Sequence, residues 1–408
     1  MSKDLNHPIE ILSPAGDLTR FKAAVDFGAD AVYFGGKQFG MRAAPGNLTA
    51  DEMKTAVSYA HTANKKAYLT LNTLPRNDEL PALPQFIETA ADAGVDAFIV
   101  TDVGCIDLVK KYAPHCELHI SVQTGIVNYQ SAMFYYNLGA NRVVLARELT
   151  LEEIAQIRAQ TPQDLELEAF VHGSICMSVS GRCLLSDYLT GRDANRGDCA
   201  QPCRWKYRLV EEKRPGEYMP VVQEDTGSYI LNAKDLCLIE HLPELYQAGI
   251  TSFKIEGRAK TEYYTAAVTY AYRQAADGFI NSGYSAGYRP DPAIVEEVYK
   301  ISHRVYSTGF YFGTPRSGQV YDNGGYIREY ELIGVVQDYQ DGIATVLQRN
   351  KFYPGNYDVL EPGRQFLITV DALFDKDMQQ IESAKHAAQI VKFKSPPLKK
   401  GAFLRIQK

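Results

Sequence analysis

The stretch Phe21-Lys-Ala-Ala-Val-Asp-Phe-Gly28-Ala-Asp-Ala-Val-Tyr-Phe34 holds two periodicities separated by a glycine. Phe21, Ala24, Val25 and Phe27 recur at helical spacing. Gly28-Ala29-Asp30 breaks that pattern, and Ala31–Phe34 follows as an unbroken apolar run. Glycine after a helix supplies the positive φ that turns the chain. An apolar run without alternation reads as a parallel strand buried on both faces.

The same unit recurs along the chain. Ile9–Leu12 runs into Ser13-Pro14-Ala15-Gly16-Asp17. Gly94-Val95-Asp96 precedes Ala97–Val100, Gly139-Ala140-Asn141 precedes Arg142–Ala146, and Gly249-Ile250-Thr251 precedes Ser252–Ile255. The expected strands are Ile9–Leu12, Ala31–Phe34, Ala67–Leu71, Phe98–Val100, Leu118–Ser121, Val143–Leu145, Leu165–Val171 and Phe253–Ile255. Eight such units predict an α/β fold, a TIM-like (β/α)8 barrel over residues 1–280, with a cysteine-rich insertion at 173–230 after strand seven. An open doubly wound sheet is the alternative, and no GxGxxG supports it.

Residues 281–330 read as a linker, NSGYSAGYRPDP, with a helix from Pro292 to Val305. From 331 to 408 the period changes to two, predicting a small all-β, barrel-like domain. Its strands are Leu332–Gln337, Ile343–Leu347, Gln365–Val370, Gln389–Phe393 and Phe403–Ile406, with DG, PGN and EPG turns between them.

Composition is that of an ordinary globular chain of 408 residues, 45% hydrophobic and 23% charged. No basic segment followed by an apolar one opens it, and no apolar run nears the ~20 residues of a membrane span. A cytoplasmic protein without a membrane partner is expected. The net charge of −6 excludes a chain coated with positive charge for nucleic acid. One local exception is 390–408, which carries six Lys or Arg and no acid.

Cysteine is sparse but clustered: 176, 183, 199 and 203 lie in the insertion, and Cys237 follows in NAKDLC. Seven is an odd number, and a reducing compartment disfavours disulfides, so metal binding is the better reading. No CxxC pair marks a zinc site. Widely spaced thiolates suit a [4Fe–4S] cubane. Cys105 and Cys116 read as structural.

Barrel active sites lie at the C-terminal ends of the strands. Ser13, Asp17, Tyr33, Asn72, Asp102, Gln123, Arg147 and His172 fall at such ends. Lys254, Glu256 and Arg258 alternate there, so all three point to one side. His172 offers a general base or a ligand. No GxSxG or HExxH supports a hydrolase.

Glu168-Ala-Phe170, His172-Gly-Ser-Ile-Cys176 and Gly181-Arg-Cys-Leu-Leu-Ser186 resemble the signature of the collagenase-like peptidase family U-32. The resemblance extends to SPAGD at 13–17, AVYFGG at 31–36, GRDANRGDCAQPCRW at 191–205, NAKDLC at 232–237 and FKIEGRAKTEYY at 253–264. It implies an iron–sulfur protein. Within the family the chain is most similar to the branch that makes 5-hydroxyuridine at the tRNA wobble position, with prephenate as co-substrate. On that resemblance Cys176, Cys183, Cys199 and Cys237 hold a [4Fe–4S] cluster, with Cys203 as a substitute for one of them. His172, Glu256 and Glu168 are the candidate catalytic groups. Lys254, Arg258, Tyr33, Asn72, Gln123 and Arg147 are candidates for binding carboxylates or phosphates. The expected partners are tRNA and a paralogous subunit. The rival expectations are a peptidase acting on collagen-like chains and a non-catalytic partner in a hydroxylation complex.

Overall fold

A computed structural model describes residues 8–40, 46–175, 183–194, 197–202, 205, 234–313, 326–386 and 388–408, with short strand pairings between 209 and 228. The expected barrel is present. Strands β1 (Glu10–Ala15), β2 (Ala31–Gly35), β3 (Lys66–Leu71), β4 (Ala97–Val100), β5 (Glu117–Ile120), β6 (Arg142–Val144) and β7 (Glu166–Ser174) precede an eighth barrel strand, Ser252–Ile255. Each is parallel to its neighbours, and the eighth pairs with both β7 and β1, which closes the ring.

Local chemistry accounts for the alternation. Gly28 and Gly249 take φ of +102° and +100°. A Cβ at either would strike the stem of a packed arginine, Arg273 or Arg158. Thr49 and Thr150 form capping boxes with Glu52 and Glu153, and Asp17, Asp102, Asn128 and Thr261 cap other helices after strands. The main apolar core lies between strands and helices and includes Phe21, Phe34, Phe98, Phe253 and Phe279, each fully buried.

Two short strands enlarge the sheet beyond the barrel. Asp235–Cys237 pairs antiparallel with the last residues of β7, placing Cys237 opposite His172. Tyr306–Ser307 then pairs parallel with Asp235–Leu236. Neither strand was expected.

The C-terminal part is an eight-stranded antiparallel sheet in the order 364–370, 355–361, 403–407, 330–340, 343–348, 390–394, 373–374, 380–381. All five expected strands are there, along with Gly355–Glu361, where glycine, asparagine and aspartate read as turn. Burial of Tyr357, Val359 and Leu360 overrides that local preference. The helix expected to reach Val305 ends at Glu297. Beyond it, Lys300 pairs with Glu297 and Asp358, and Arg304 with Asp235, drawing the chain off the helical path.

This domain packs on the barrel through Phe403, whose ring lies 5.7 Å from Phe27 and 5.4 Å from Tyr263. Beside it Arg405, fully buried, holds Glu297 at 2.7 Å, Asp358 at 3.1 Å and the Tyr263 hydroxyl at 3.0 Å. The basic C-terminal run is therefore two strands of a sheet, and its arginine is an interdomain anchor.

Candidate active site

Side chains at alternate positions of the strands fill the barrel in layers. The lowest layer is ionic. Arg142, at the start of β6, donates to Glu10 at 2.6 Å, to Glu166 at 2.7 Å and to Glu168 at 3.0 Å. Ser252 and Tyr68 also donate to Glu10, at 2.8 and 2.7 Å. Burial opposes ionisation of Glu10, but Arg142 and these hydrogen bonds outweigh it and lower its pKa to about 2. His119 Nε2 donates to Glu117 at 2.9 Å, and burial with the Arg142 charge holds its pKa below the ordinary imidazole value. This layer lies at the N-terminal ends of the strands, the stabilising side of such barrels.

Glu168 and Lys254 form the next layer. Lys254 Nζ donates to Glu168 Oε1 at 2.6 Å and lies 4.5 Å from the centre of the Tyr33 ring. Burial would raise the Glu168 pKa; Lys254 and Arg142 more than offset that and hold it below the usual carboxylate range. Glu168 is therefore a buried carboxylate engaged by two cations.

The mouth lies above. Arg147 stacks on Phe170, with 3.8 Å from guanidinium to ring centre, and donates to the Ser174 carbonyl at 3.1 Å. Its Nη2 is 3.7 Å from Glu256 Oε2, and its buried Nε has no acceptor among the described residues. Across the mouth Arg258 donates to Asn47 Oδ1 at 2.7 Å and Thr70 Oγ1 at 3.2 Å, lying flat against Gly35. Tyr33 donates to the Ile255 carbonyl at 2.9 Å, while Thr101 Oγ1 lies 3.3 Å from the Asn72 carbonyl and 3.4 Å from Gln123 Oε1. Tyr33, Asn72, Gln123, Arg147, Lys254, Glu256 and Arg258 thus share the C-terminal end of the barrel. The two guanidiniums, Arg147 and Arg258, suit a carboxylate or phosphate. Asn47 and Thr70, which aim Arg258, carried no signal in the sequence.

His172 is elsewhere. The register between β7 and the eighth strand shifts at Lys254/Ile255, so Phe170 and His172 face successive partners. This bulge turns His172 out of the barrel. Its ring sits among Tyr264, Tyr272 and Tyr306, at centroid distances of 6.1, 5.5 and 5.3 Å. Burial lowers its pKa to about 3, so it is neutral. The expectation that His172 stands at the mouth is corrected: it lies beside Cys237, behind the barrel wall.

Cys176 and Cys203 lie outside the described residues. The other three share a feature: a backbone N–H from two residues further on meets each sulfur. Leu185 donates to Cys183 at 3.4 Å, Gln201 to Cys199 at 3.3 Å, and Ile239 to Cys237. Such donors suit sulfurs that carry charge as cluster ligands. Cys116 does the opposite, donating its thiol proton to the Val95 carbonyl at 3.2 Å. Burial pushes the Cys237 thiol up to about 12, so its thiolate needs a cation. Among the described residues no three His, Cys, Asp or Glu side chains are grouped as a metal site.

Residues 16–320 match the model of peptidase family U32, and residues 328–405 that of the peptidase family U32 C-terminal domain. The chain belongs to the U32 family. A U32 relative named tRNA hydroxylation protein P1, from Bacillus subtilis, is 35% identical over 94% of this chain and 91% of its own length. The tRNA hydroxylation protein P of Escherichia coli is 35% identical over 93% of this chain and 90% of its own. An uncharacterized protease of Methanocaldococcus jannaschii is 46% identical over 74% of this chain and 73% of its own. No helix among the described residues of this U32 chain is long and apolar enough to cross a membrane.

Proposed function

We propose that this U32 protein takes part in hydroxylating tRNA, producing 5-hydroxyuridine at the wobble position with prephenate as co-substrate and a [4Fe–4S] cluster. The observation that carries the reading is the pair of anchored guanidiniums at the barrel mouth. It is supported by likeness to named tRNA hydroxylation proteins over both domains.

Arg258 and Arg147 would each grip one carboxylate of a dicarboxylic acid, the buried Arg147 Nε supplying a further donor. Both are immobilised before substrate arrives, so little ordering cost remains. Glu256, beside Arg147, is placed to hold or move a proton at the mouth. Lys254 and Glu168 serve as the floor: their mutual pairing leaves neither available as a base. Cys183, Cys199 and Cys237 would hold the cluster with Cys176 or Cys203, and the cluster would supply electron transfer. His172 packs the Cys237 strand rather than meeting substrate.

The test is nucleoside mass spectrometry of tRNA from cells whose only copy of the gene carries Arg258→Lys or Cys237→Ser. Loss of 5-hydroxyuridine in both is expected. Wild-type levels in either would refute the assigned roles.

A further inference from the structure

The loop Arg349-Asn-Lys-Phe-Tyr353 joins strands 343–348 and 355–361 of the C-terminal domain. Arg349, Asn350, Lys351 and Tyr353 are exposed, with Tyr353 at 46%, whereas Phe352 is fully buried. Phe352 packs edge-on against Tyr357 at 4.9 Å and Phe393 at 5.7 Å, and its backbone pairs with Ala384. Tyr357 Oη donates to the Tyr353 carbonyl at 2.5 Å and lies 3.4 Å from the Tyr353 N–H. An inward anchor and a backbone clamp thus hold an aromatic ring outward on the same short loop as two cations.

Four other cations in this domain are engaged. Lys392 donates to the Lys376 carbonyl, Lys399 to the Pro362 carbonyl, Arg364 pairs with Glu361, and Arg405 is buried. Among the described residues neither Arg349 nor Lys351 has a carboxylate within ion-pair distance. Glu262 opens the helix just after Arg258, and although burial is the main influence on its carboxyl, Arg349 acts on it together with Asp17 and Arg20. Asp17 caps the helix that follows β1, so Arg349 lies within electrostatic range of helix starts on the C-terminal side of the strands.

We propose that the Arg349–Tyr353 loop is an RNA-contacting element: Arg349 and Lys351 bind successive phosphates, and Tyr353 stacks on an unpaired base while a neighbouring nucleotide occupies the mouth. This rests on the tRNA reading above and names the surface that would hold the RNA. Unpaired nucleotides fit because stacking requires an open base face, and a rigid ring loses little freedom on binding.

The experiment is fluorescence anisotropy of the full chain with a labelled, unmodified tRNA transcript across about 50 to 200 mM salt, the range in which phosphate contacts show. The double variant Arg349→Ala/Lys351→Ala should bind about tenfold more weakly, with the log–log salt slope reduced by about two, close to one per lost phosphate contact. Tyr353→Ala should lose about tenfold without changing the slope, and Tyr353→Phe should bind like wild type. Lys399→Ala, whose ammonium is already engaged, should also match wild type. Equal thermal midpoints would show that every variant is folded. Undiminished binding by the double variant and by Tyr353→Ala would overturn the loop assignment and leave the tRNA reading standing. No binding by the wild-type chain at the lowest salt would overturn both.

Discussion

Lys254 and Glu168 meet at 2.6 Å inside the barrel, with side chains 5% and 0% exposed. Removing one partner leaves the other charged in a buried site, whereas the intact pair is close to neutral in energy against an apolar replacement. Lys254→Met should therefore destabilise the protein by about 3 to 5 kcal/mol. Lys254→Met/Glu168→Leu should recover part of that loss. Chemical denaturation of the wild type and the two variants measures it; a single variant as stable as wild type would show that Arg142 alone suffices for Glu168.

The ionic layer below makes a pH prediction. His119 has a depressed folded-state pKa, so its contribution is complete above the unfolded value near 6.5 and is lost as pH falls below that. Glu10 falls from 4.5 to about 2 on folding, so its contribution, about 3 kcal/mol, is complete above 4.5 and is lost as pH drops toward 2. Acid should therefore weaken the fold in two stages. His119→Gln, which keeps a polar group near Glu117, should reduce the first stage without abolishing it, because buried His172 also titrates there, and should trim the second by the part of the Glu117 shift that His119 supplies. A single stage beginning below pH 4.5 in the wild type would contradict the His119 assignment.

At the mouth, Gly35 leaves room for Arg258: an added Cβ would come within 2.1 Å of Nη2 and 3.0 Å of both Cζ and Asn47 Oδ1. The obstructed atoms are the ends of side chains, not backbone. Gly35→Ala should displace the guanidinium while costing the fold about 1 kcal/mol or less, since overpacking at a movable tip is relieved cheaply. Wobble 5-hydroxyuridine should fall at least tenfold with the melting temperature nearly unchanged. Retained modification would separate Arg258 from substrate binding.

Much of this was legible in the sequence, for identifiable reasons. The barrel strands are nearly continuous apolar runs, four of them preceded by a turn at Gly28, Gly94, Gly139 or Gly249, so the eight strands and their upper ends could be numbered; Tyr33, Gln123 and Arg147 followed from those ends, and Lys254, Glu256 and Arg258 from period-two spacing. His172 escaped because a single-residue bulge opposite Lys254/Ile255 reverses parity, and nothing in Phe170-Val171-His172 announces it. Gly355–Glu361 and Asp235–Cys237 escaped because tertiary burial and pairing with β7, not local preference, make them strands. Asn47 reaches Arg258 from a loop with no periodicity at all.

Interdomain anchoring should be testable apart from the chemistry. Arg405 is fully buried and pairs with Glu297, itself fully buried, and with Asp358. Arg405→Ala should cost about 3 to 5 kcal/mol, because it leaves Glu297 with Lys300 as its remaining cation. Differential scanning calorimetry should then show the C-terminal domain melting ahead of the barrel. One unshifted transition would mean that the Phe403 contacts alone hold the domains together.

The cysteines divide into two groups by hydrogen-bond direction, and metal analysis can check the division. Cys183, Cys199 and Cys237 accept backbone N–H bonds at sulfur, whereas Cys116 donates its proton and Cys105 is buried against its helix. Protein purified without oxygen should contain about four iron and four sulfide per chain, the content of a cubane. Cys105→Ser and Cys116→Ser should leave both numbers unchanged. Cys183→Ser, Cys199→Ser and Cys237→Ser should each lower them, and Cys203→Ser beside Cys176→Ser decides which of those two supplies the remaining thiolate. Zinc without sulfide in the wild-type protein would remove electron transfer from the proposed chemistry and reopen the peptidase reading.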